Sequence, residues 1–227
     1  MTAEDLPLVH EHRPGTVASD APAVVLLHGR GANERDLLPL GAQLPDELHV
    51  IGVRAPQPMG PDSYTWYDLD LSAGGLHASQ PDPEGFRRSL DAVHEFVDGA
   101  VDAYDLDPDR VSLLGFSQGA ITSLSALVER PDAYRWVVAL NGYLVAEHAD
   151  DSDAAAGTPA FVGVWRPRPD YPAGAGRARR RNTRRRGRRG PLRALRRRLR
   201  HDARGGHRRC RVGRRAVLSA APDAQRI

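Results

Sequence analysis

The sequence predicts an α/β fold in which a mostly parallel sheet is flanked by helices. Short apolar runs, typical of strands buried on both faces, alternate along the chain with longer segments of helical period. Such alternation is typical of parallel strands joined by crossover helices. The chain has 227 residues, which is enough for one domain with a sizeable core.

Five apolar runs predict the strands of this sheet. They lie at residues 23–28, 48–53, 111–116, 136–140 and 160–164. Helical patterns separate them at residues 33–43, 86–104 and 118–129, and Pro131 ends the last of these. Residues 55–85 are rich in Gly and Pro and are predicted to form a long loop, which in a compact domain is usually functional.

Charge divides the chain into two parts. Residues 1–165 carry 9 Arg against 26 Asp and Glu, whereas residues 166–227 carry 23 Arg against 3 Asp, and the net charge is +3 with no lysine. We expect a folded domain over residues 1–165 and an Arg-rich, disordered tail over residues 166–227, since blocks of like charge rarely fold. The acidic excess of the first part suggests halophilic adaptation, a hypothesis that unfolding measured against salt concentration would test.

Cysteine usage and hydropathy predict a cytoplasmic protein. Cys210 is the one cysteine of the chain, so no intrachain disulfide can form. No apolar run is long enough to span a bilayer, and the first residues show no signal-peptide pattern. The histidines and Cys210 lack paired metal-ligand spacings, so no metal site is predicted.

Residues 115–119 read Gly-Phe-Ser-Gln-Gly and match the G-x-S-x-G pattern of a nucleophilic serine. A predicted strand precedes the pattern and a predicted helix follows it, which is the context that this chemistry needs. The serine must sit on a tight turn so that its hydroxyl projects above the sheet, beside the N–H groups of a helix N-terminus. Ser117 is therefore the candidate nucleophile; the alternative is an ordinary strand-to-helix turn with a buried serine.

The segment after the first predicted strand, residues 28–37, offers a second group of the same site. A loop in this position can donate a backbone N–H to an oxyanion, together with the N–H of the residue after the nucleophile. We assign these two donors to the backbones of Arg30 and Gln118. His28 lies before the serine and on the wrong strand to be its base, so we interpret it as a structural histidine that bonds to nearby backbone.

Five motifs occur in order along the sequence: LLHGRGANERDLLPL at 26–40, RAP at 54–56, WYD at 66–68, GFSQGA at 115–120 and LNGYL at 140–144. Together they make the sequence resemble the phospholipase/carboxylesterase family, the small serine esterases related to acyl-protein thioesterases. The resemblance covers about residues 20–165. It implies an α/β-hydrolase fold, hydrolysis of a small acyl ester or thioester as in carboxylesterases, lysophospholipases and thioesterases, and no cofactor.

The resemblance also implies site residues. Ser117 matches the family's nucleophile, and Trp66 and Tyr67 match a segment that lines the acyl pocket. The alternative for Trp66 and Tyr67 is that they are surface aromatic residues in a loop.

The remaining members of the triad are not evident in the sequence. The family needs an Asp and then a His after the serine, the Asp in a G-x-x-D-P segment directly after the strand that corresponds to residues 160–164. Asp170 lies nearby but within PRPDYP, and His201 and His207 lie among arginines with no apolar strand to fix them. Whether any of these three residues can serve in a triad stays open.

A shift of reading frame would restore both missing motifs. If each codon is read one base late, Arg168 can become Asp and Trp165 can become Gly, which gives G-x-x-D-P; farther on, Ala203 can become His. We therefore hypothesise that residues from about 165 onward are translated out of frame. In that case the C-terminal strand and helix of the fold are missing and the enzyme is impaired.

Two other classes of function remain as alternatives. The Arg-rich tail could bind nucleic acid or another polyanion, but it has almost no aromatic residues for stacking, so we expect no specific nucleic-acid partner. A third possibility is a protein that binds acyl ligands without hydrolysing them. The sequence does not predict the oligomeric state, the acyl length or the preference for ester or thioester.

Overall fold

The computed structural model describes residues 2–70 and 80–163 of the chain. Its strands are β1 His10–Arg13, β2 Ala21–Leu27, β3 His49–Val53, β4 Gln57–Gly60, β5 Ser63–Thr65, β6 Leu69–Asp70, β7 Gln80–Pro81, β8 Leu106–Phe116, β9 Val137–Leu140 and β10 Ala160–Gly163. Its α-helices are α1 Leu38–Gly41, α2 Pro83–Ala103 and α3 Gln118–Glu129, and short 3₁₀ turns lie at Ala3–Asp5, Pro131–Ala133, Ala146–His148 and Ser152–Ala155.

Within the described residues, six strands form one sheet in the order β1-β3-β2-β8-β9-β10. All neighbouring pairs are parallel except β1 with β3, so the predicted α/β class with a mostly parallel sheet is confirmed. Leu27 lies opposite Gly115, and Phe116 lies opposite Leu140. The carboxyl ends of β2, β8 and β9 therefore meet at one edge, where open α/β sheets bind their ligands.

Both faces of the central strands are buried, as continuous apolar strands require, whereas the edge strand β10 is largely exposed. Every residue of β2 is buried, and its side chains alternate between two cores. Val25 and Leu27 belong to the core that includes buried residues of α2 and α3. Val24 and Leu26 belong to the opposite core, which includes Trp136 and the leucines around α1.

The structure agrees with the predicted bounds of α3, which ends just before Pro131, and it corrects the helix predicted at 33–43. Only α1 is helical there, because local turns satisfy the preceding backbone: the Asn33 side chain accepts a hydrogen bond from the N–H of Arg35 at 2.9 Å. The edge strand β1 was not predicted, because its HEHR sequence has no apolar alternation. The segment 55–85 was predicted as a loop, but it contains the paired strands β4–β5 and β6–β7.

Part of the prediction falls outside the described residues. The tail at 166–227, with Asp170, His201, His207 and Cys210, lies there. Among residues 2–70 and 80–163, no helix combines the length and hydropathy needed to cross a membrane. The same part of the chain holds no group of three His, Cys, Asp or Glu arranged to bind a metal ion.

Candidate active site

Ser117 occupies the turn between β8 and α3 in a conformation that side-chain-bearing residues rarely adopt. Its φ is 52° and its ψ is −115°. Its N–H donates to the carbonyl of Leu140 at 2.9 Å, and its carbonyl accepts from the N–H groups of Ala120 and Ile121. The hydroxyl makes no capping bond to the helix, and the residue is half-buried. Such backbone strain costs about 1–3 kcal/mol and persists only where the surrounding structure enforces it.

The two glycines of the motif are required by close approach of main chain. A Cβ on Gly119 would overlap the carbonyl of Leu27, at the end of β2. A Cβ on Gly115 would overlap the backbone of Gly119 itself. The strand-to-helix turn can therefore come this close to β2 only with glycine at both positions, which is the steric reason for the spacing of the motif.

The N-terminus of α3 presents backbone donors beside Ser117. The N–H groups of Ala120 and Ile121 bond to the carbonyl of Ser117. Those of Gln118 and Gly119 have no acceptor within residues 2–70 and 80–163, as expected in the first turn of a helix. The positive end of the helix dipole adds to this donor-rich environment. The turn can therefore hold negative charge near the serine.

The loop at residues 28–32 lies against the same turn. A Cβ on Gly29 would lie 2.9 Å from Cδ1 of Phe116, the residue before Ser117. Arg30 is exposed, and the next residue, Gly31, donates its N–H to the carbonyl of Tyr64 at 2.7 Å. The structure thus brings the loop of Arg30 to the sheet edge that carries Ser117.

His28 is a structural histidine, as the sequence indicated. It is buried, and Nδ1–H donates to the carbonyl of Gly29 at 2.7 Å. Nε2 accepts a hydrogen bond from the N–H of Ala55 at 3.0 Å. Burial lowers the pKa of His28, which favours the neutral ring. Both nitrogens are therefore engaged with backbone.

Trp66 and Tyr67 are fully buried, so the alternative of surface aromatic residues is wrong. Each is 0% exposed. The indole N–H of Trp66 donates to the carbonyl of His28 at 2.8 Å. Tyr67 packs edge-on against Phe86, and its hydroxyl has no hydrogen-bond partner in the described part of the chain. Burial raises the pKa of Tyr67, which therefore stays neutral.

The side chain of Gln118 joins the helix to this aromatic segment. Its Oε1 accepts from the hydroxyl of Thr65 at 2.9 Å and from the N–H of Trp66 at 3.3 Å. Its Nε2 donates to the carbonyl of Tyr67 at 2.8 Å. The sequence predicted only a backbone role for Gln118 and missed this one, because the partners lie about fifty residues away with no local signal.

A part-buried ion pair supports the chain just after the 28–32 loop. Both Arg54 nitrogens that face Glu34 bond to its carboxylate, Nε to Oε2 at 2.7 Å and Nη2 to Oε1 at 2.9 Å. These hydrogen bonds lower the pKa of Glu34 to about 2. The guanidinium also stacks on the ring of Tyr64, 4.5 Å from its centroid. This pair was not predicted, although an acidic residue in the loop and an arginine directly after a strand were the available signal.

A hydrogen-bonded network around one carboxylate lies at the opposite end of α3. Glu129, the last residue of the helix, is held by two nitrogens of Arg87 and by Nε2 of His94 at 3.2 Å and of His148 at 3.1 Å. Burial alone would raise the pKa of Glu129, but the hydrogen bonds from these three partners prevail and lower it to about 2. This network ties α3 to α2 and to the turn Ala146–His148.

A mostly parallel sheet with a strained serine between a strand and a helix defines the α/β-hydrolase fold. The chain belongs to the phospholipase/carboxylesterase family, whose model matches residues 16–162. Proteins named as an esterase and as an acyl-protein thioesterase are among its relatives.

Individual relatives agree with this family. MhqD of Bacillus subtilis, whose name describes it provisionally as a hydrolase, is 28% identical over 141 residues, 62% of this chain and 66% of MhqD. Acyl-protein thioesterase 1 of Candida albicans is 28% identical over 141 residues, 57% of this chain and 60% of that protein. The chain thus spans just under two thirds of the length of these relatives. The crystal structure of esterase PE8 superposes with a TM-score of 0.57 at 27% identity, over 68% of this chain and 73% of that one.

Proposed function

We propose that this chain is built to hydrolyse small carboxylic esters or thioesters with Ser117 as the nucleophile. The observation that carries the proposal is the backbone of Ser117, at φ 52° in a turn that two glycines allow to close. Strain of this kind on a residue with a side chain is concentrated at functional sites. The hydroxyl makes no capping bond to α3, so it is available for chemistry.

The backbone N–H groups of Arg30 and Gln118 form the proposed oxyanion hole. In the first step the Ser117 oxygen bonds to the acyl carbon, the carbonyl π pair moves to its oxygen, and the serine proton passes to a histidine base. The two N–H groups stabilise that oxyanion, and such a donor is typically worth ~10²–10³ in rate. Collapse expels the alcohol or thiol with the histidine's proton, and water then hydrolyses the acyl-serine by the same steps.

Trp66 and Tyr67 are proposed as the layer that backs the acyl pocket. Neither side chain is exposed, so they would shape the pocket from behind rather than form its surface. Acyl length and the choice between ester and thioester then depend on residues in front of this layer.

The Asp and His of the triad are proposed to be encoded in the other reading frame. Arg168 and Ala203 can become Asp and His when the codons are read one base late, whereas Asp170, His201 and His207 lie in the Arg-rich tail. With this tail we expect the chain to keep only the residual catalysis that binding and the oxyanion hole supply. The gene sequence at codons 160–205 tests this: codons incompatible with Asp at 168 or His at 203 would refute it.

Two chains should be assayed on a short-chain aryl ester: the chain with the Arg-rich tail, and one carrying the shifted frame from residue 165. We expect only residual turnover from the first and full turnover from the second, and in the second a loss of at least ~10³-fold on Ser117→Ala. Ser125→Ala is the matched control, because Ser125 is a buried serine of the same helix whose hydroxyl has no partner among the described residues.

Two outcomes would contradict the proposal in different ways. Turnover that survives Ser117→Ala would remove Ser117 as the nucleophile. The chain with the Arg-rich tail could instead show robust turnover that Ser117→Ala abolishes. Ser117 would then remain the nucleophile, but the tail would supply a working triad.

A further inference from the structure

Residues 64–67 contact both the loop of Arg30 and the N-terminus of α3, which carry the proposed oxyanion donors. We call this segment the brace. Its first residue, Tyr64, accepts a hydrogen bond from the N–H of Gly31 at 2.7 Å and donates its own N–H to Ala32 at 3.0 Å. The chain directly after Arg30 is therefore paired to the brace. The guanidinium of Arg54 covers the ring of Tyr64 and fixes it from the other side.

The brace also holds the chain directly before Arg30. The indole N–H of Trp66 donates to the carbonyl of His28 at 2.8 Å. Arg30 thus lies between two ties, one at His28 and one at Gly31, and neither tie uses the N–H of Arg30 itself. A peptide held on both sides in this way has little freedom to reorient, while its own N–H stays available.

The second donor is tied to the same segment through a side chain. The carboxamide of Gln118 makes three hydrogen bonds to residues 65–67, and the N–H of Gln118 is the other proposed donor. Trp66 is fully buried, and its carbonyl accepts a hydrogen bond from the hydroxyl of Ser89 on α2. All three polar groups of Trp66 therefore bond to different parts of the fold: the end of β2, α2 and α3.

We propose that the brace sets the separation of the two oxyanion donors, with the side chains of Trp66 and Gln118 as positioning residues. This inference rests on the proposed function. It assigns Trp66 a role beyond packing, because its backbone N–H bonds to the side chain of Gln118 and its indole N–H bonds to the carbonyl of His28, next to the loop of Arg30. Any buried indole N–H needs an acceptor, and here the acceptor belongs to the segment that carries the proposed donor.

Hydrogen–deuterium exchange on the full chain tests the brace without requiring turnover. Trp66→Phe removes the indole N–H and keeps an aromatic ring; we expect exchange at residues 28–33 to accelerate about tenfold relative to residues 21–27 and 111–116. Gln118→Met keeps the backbone N–H and removes the carboxamide, and it should accelerate exchange at residues 64–67. Trp136→Phe is the matched control, since Trp136 is a buried tryptophan of the opposite core. Unchanged exchange at 28–33 in Trp66→Phe, or acceleration only in step with the sheet, overturns the proposal.

Kinetics of the shifted-frame chain separate positioning from packing. A displaced oxyanion donor lowers kcat with little change in KM, so Trp66→Phe should lower kcat about 10- to 100-fold. Local release of residues 28–33 with an unchanged kcat would overturn the positioning role while leaving Ser117 in place. Turnover that survives Ser117→Ala would instead refute the proposed function, and it would leave the exchange result unaffected.

Discussion

The two ends of α3 are held in opposite ways. At the N-terminal end, Ser117 adopts a strained backbone, and the contacts of Gln118 are all uncharged. At the C-terminal end, Glu129 is held by a guanidinium and two imidazoles. We infer that the hydrogen bonds at the C-terminal end oppose a shift of the helix that would relax the strained turn at its N-terminal end.

Adding a side chain at Gly119, where the turn meets β2, should have the largest effect on stability. Gly119→Ala places a methyl group on the carbonyl of Leu27, and neither main-chain segment can move without displacing the turn. We expect a loss of about 3 kcal/mol or more in the free energy of unfolding, measured by urea denaturation. Gly157→Ala is the control, since a Cβ there meets nothing within 4 Å, and it should change stability by less than about 0.5 kcal/mol. Equal effects of the two substitutions would contradict the close approach at Gly119.

Removing the charge of Glu129, at the C-terminal end of α3, should have the next largest effect on stability. Glu129→Gln leaves Arg87, His94 and His148 without their shared carboxylate, and we expect a loss of about 2 kcal/mol in unfolding free energy. Asp98→Asn breaks the exposed pair with Arg130 and should cost less than about 1 kcal/mol. If the two variants unfold at the same urea concentration, the network at Glu129 does not hold the helix.

Acid should weaken the hydrogen bonds at the C-terminal end of α3, because Glu129 becomes protonated. The contacts of Gln118 at the N-terminal end should not change, because they involve no titratable group. The pKa of Glu129 is about 2 in the fold against an ordinary value of 4.5, so its stabilisation is complete above pH 4.5 and is lost as the pH falls towards 2. In a higher window, burial and the neighbouring His49 lower the pKa of His12 to about 4, so stability also falls between pH 6.5 and 4.

Thermal unfolding against pH checks both windows. Glu129→Gln should make the curve less steep below pH 4.5 and leave the higher window in place. The slope that remains below pH 4.5 includes the contribution of Glu34, whose pKa is also about 2. His12→Gln should make the curve less steep in the higher window alone, where His28, whose pKa is also lowered by burial, still contributes. A wild-type melting temperature that stays constant from pH 7 to pH 3 would contradict both assignments.

Relieving the strain at Ser117 should give the smallest effect, and it should be stabilising. Glycine adopts φ 52° without penalty, whereas alanine keeps the strain, so Ser117→Gly should be more stable than Ser117→Ala by about 1 kcal/mol. Urea denaturation of the two variants measures the difference, and both lack the hydroxyl, so activity does not enter the comparison. A less stable glycine variant would mean that the turn is not strained.

The sheet and the nucleophile helix could be predicted because their signals are local. Apolar runs locate β2 and β9 to within two residues and β8 except for its first five residues, and Pro131 limits α3. The glycine spacing around Ser117 likewise reports a steric demand that belongs to the turn itself. Such features leave their mark on neighbouring residues, so a single sequence reveals them.

The features that the sequence did not reveal depend on partners far apart in the chain. The predicted helix at 33–43 gave way to turns, with Glu34 paired to Arg54 some twenty residues away. The carboxamide of Gln118 is satisfied about fifty residues earlier, by the segment that contains Trp66. Residues 33–43 have an acceptable helical pattern, but a tertiary ion pair and an Asn-capped turn outweigh a weak propensity.

The position of the brace limits which residues of this segment can be exchanged with those of a relative. Residues 58–62, at the tip of the hairpin formed by β4 and β5, are exposed and resemble a loop that could be exchanged between relatives to change substrate range. Thr65 and Trp66, only a few positions later, are fully buried and bonded to Gln118. A chimera that exchanges the whole of residues 57–70 would replace the interior of its host, whereas one confined to residues 58–62 would alter only its surface.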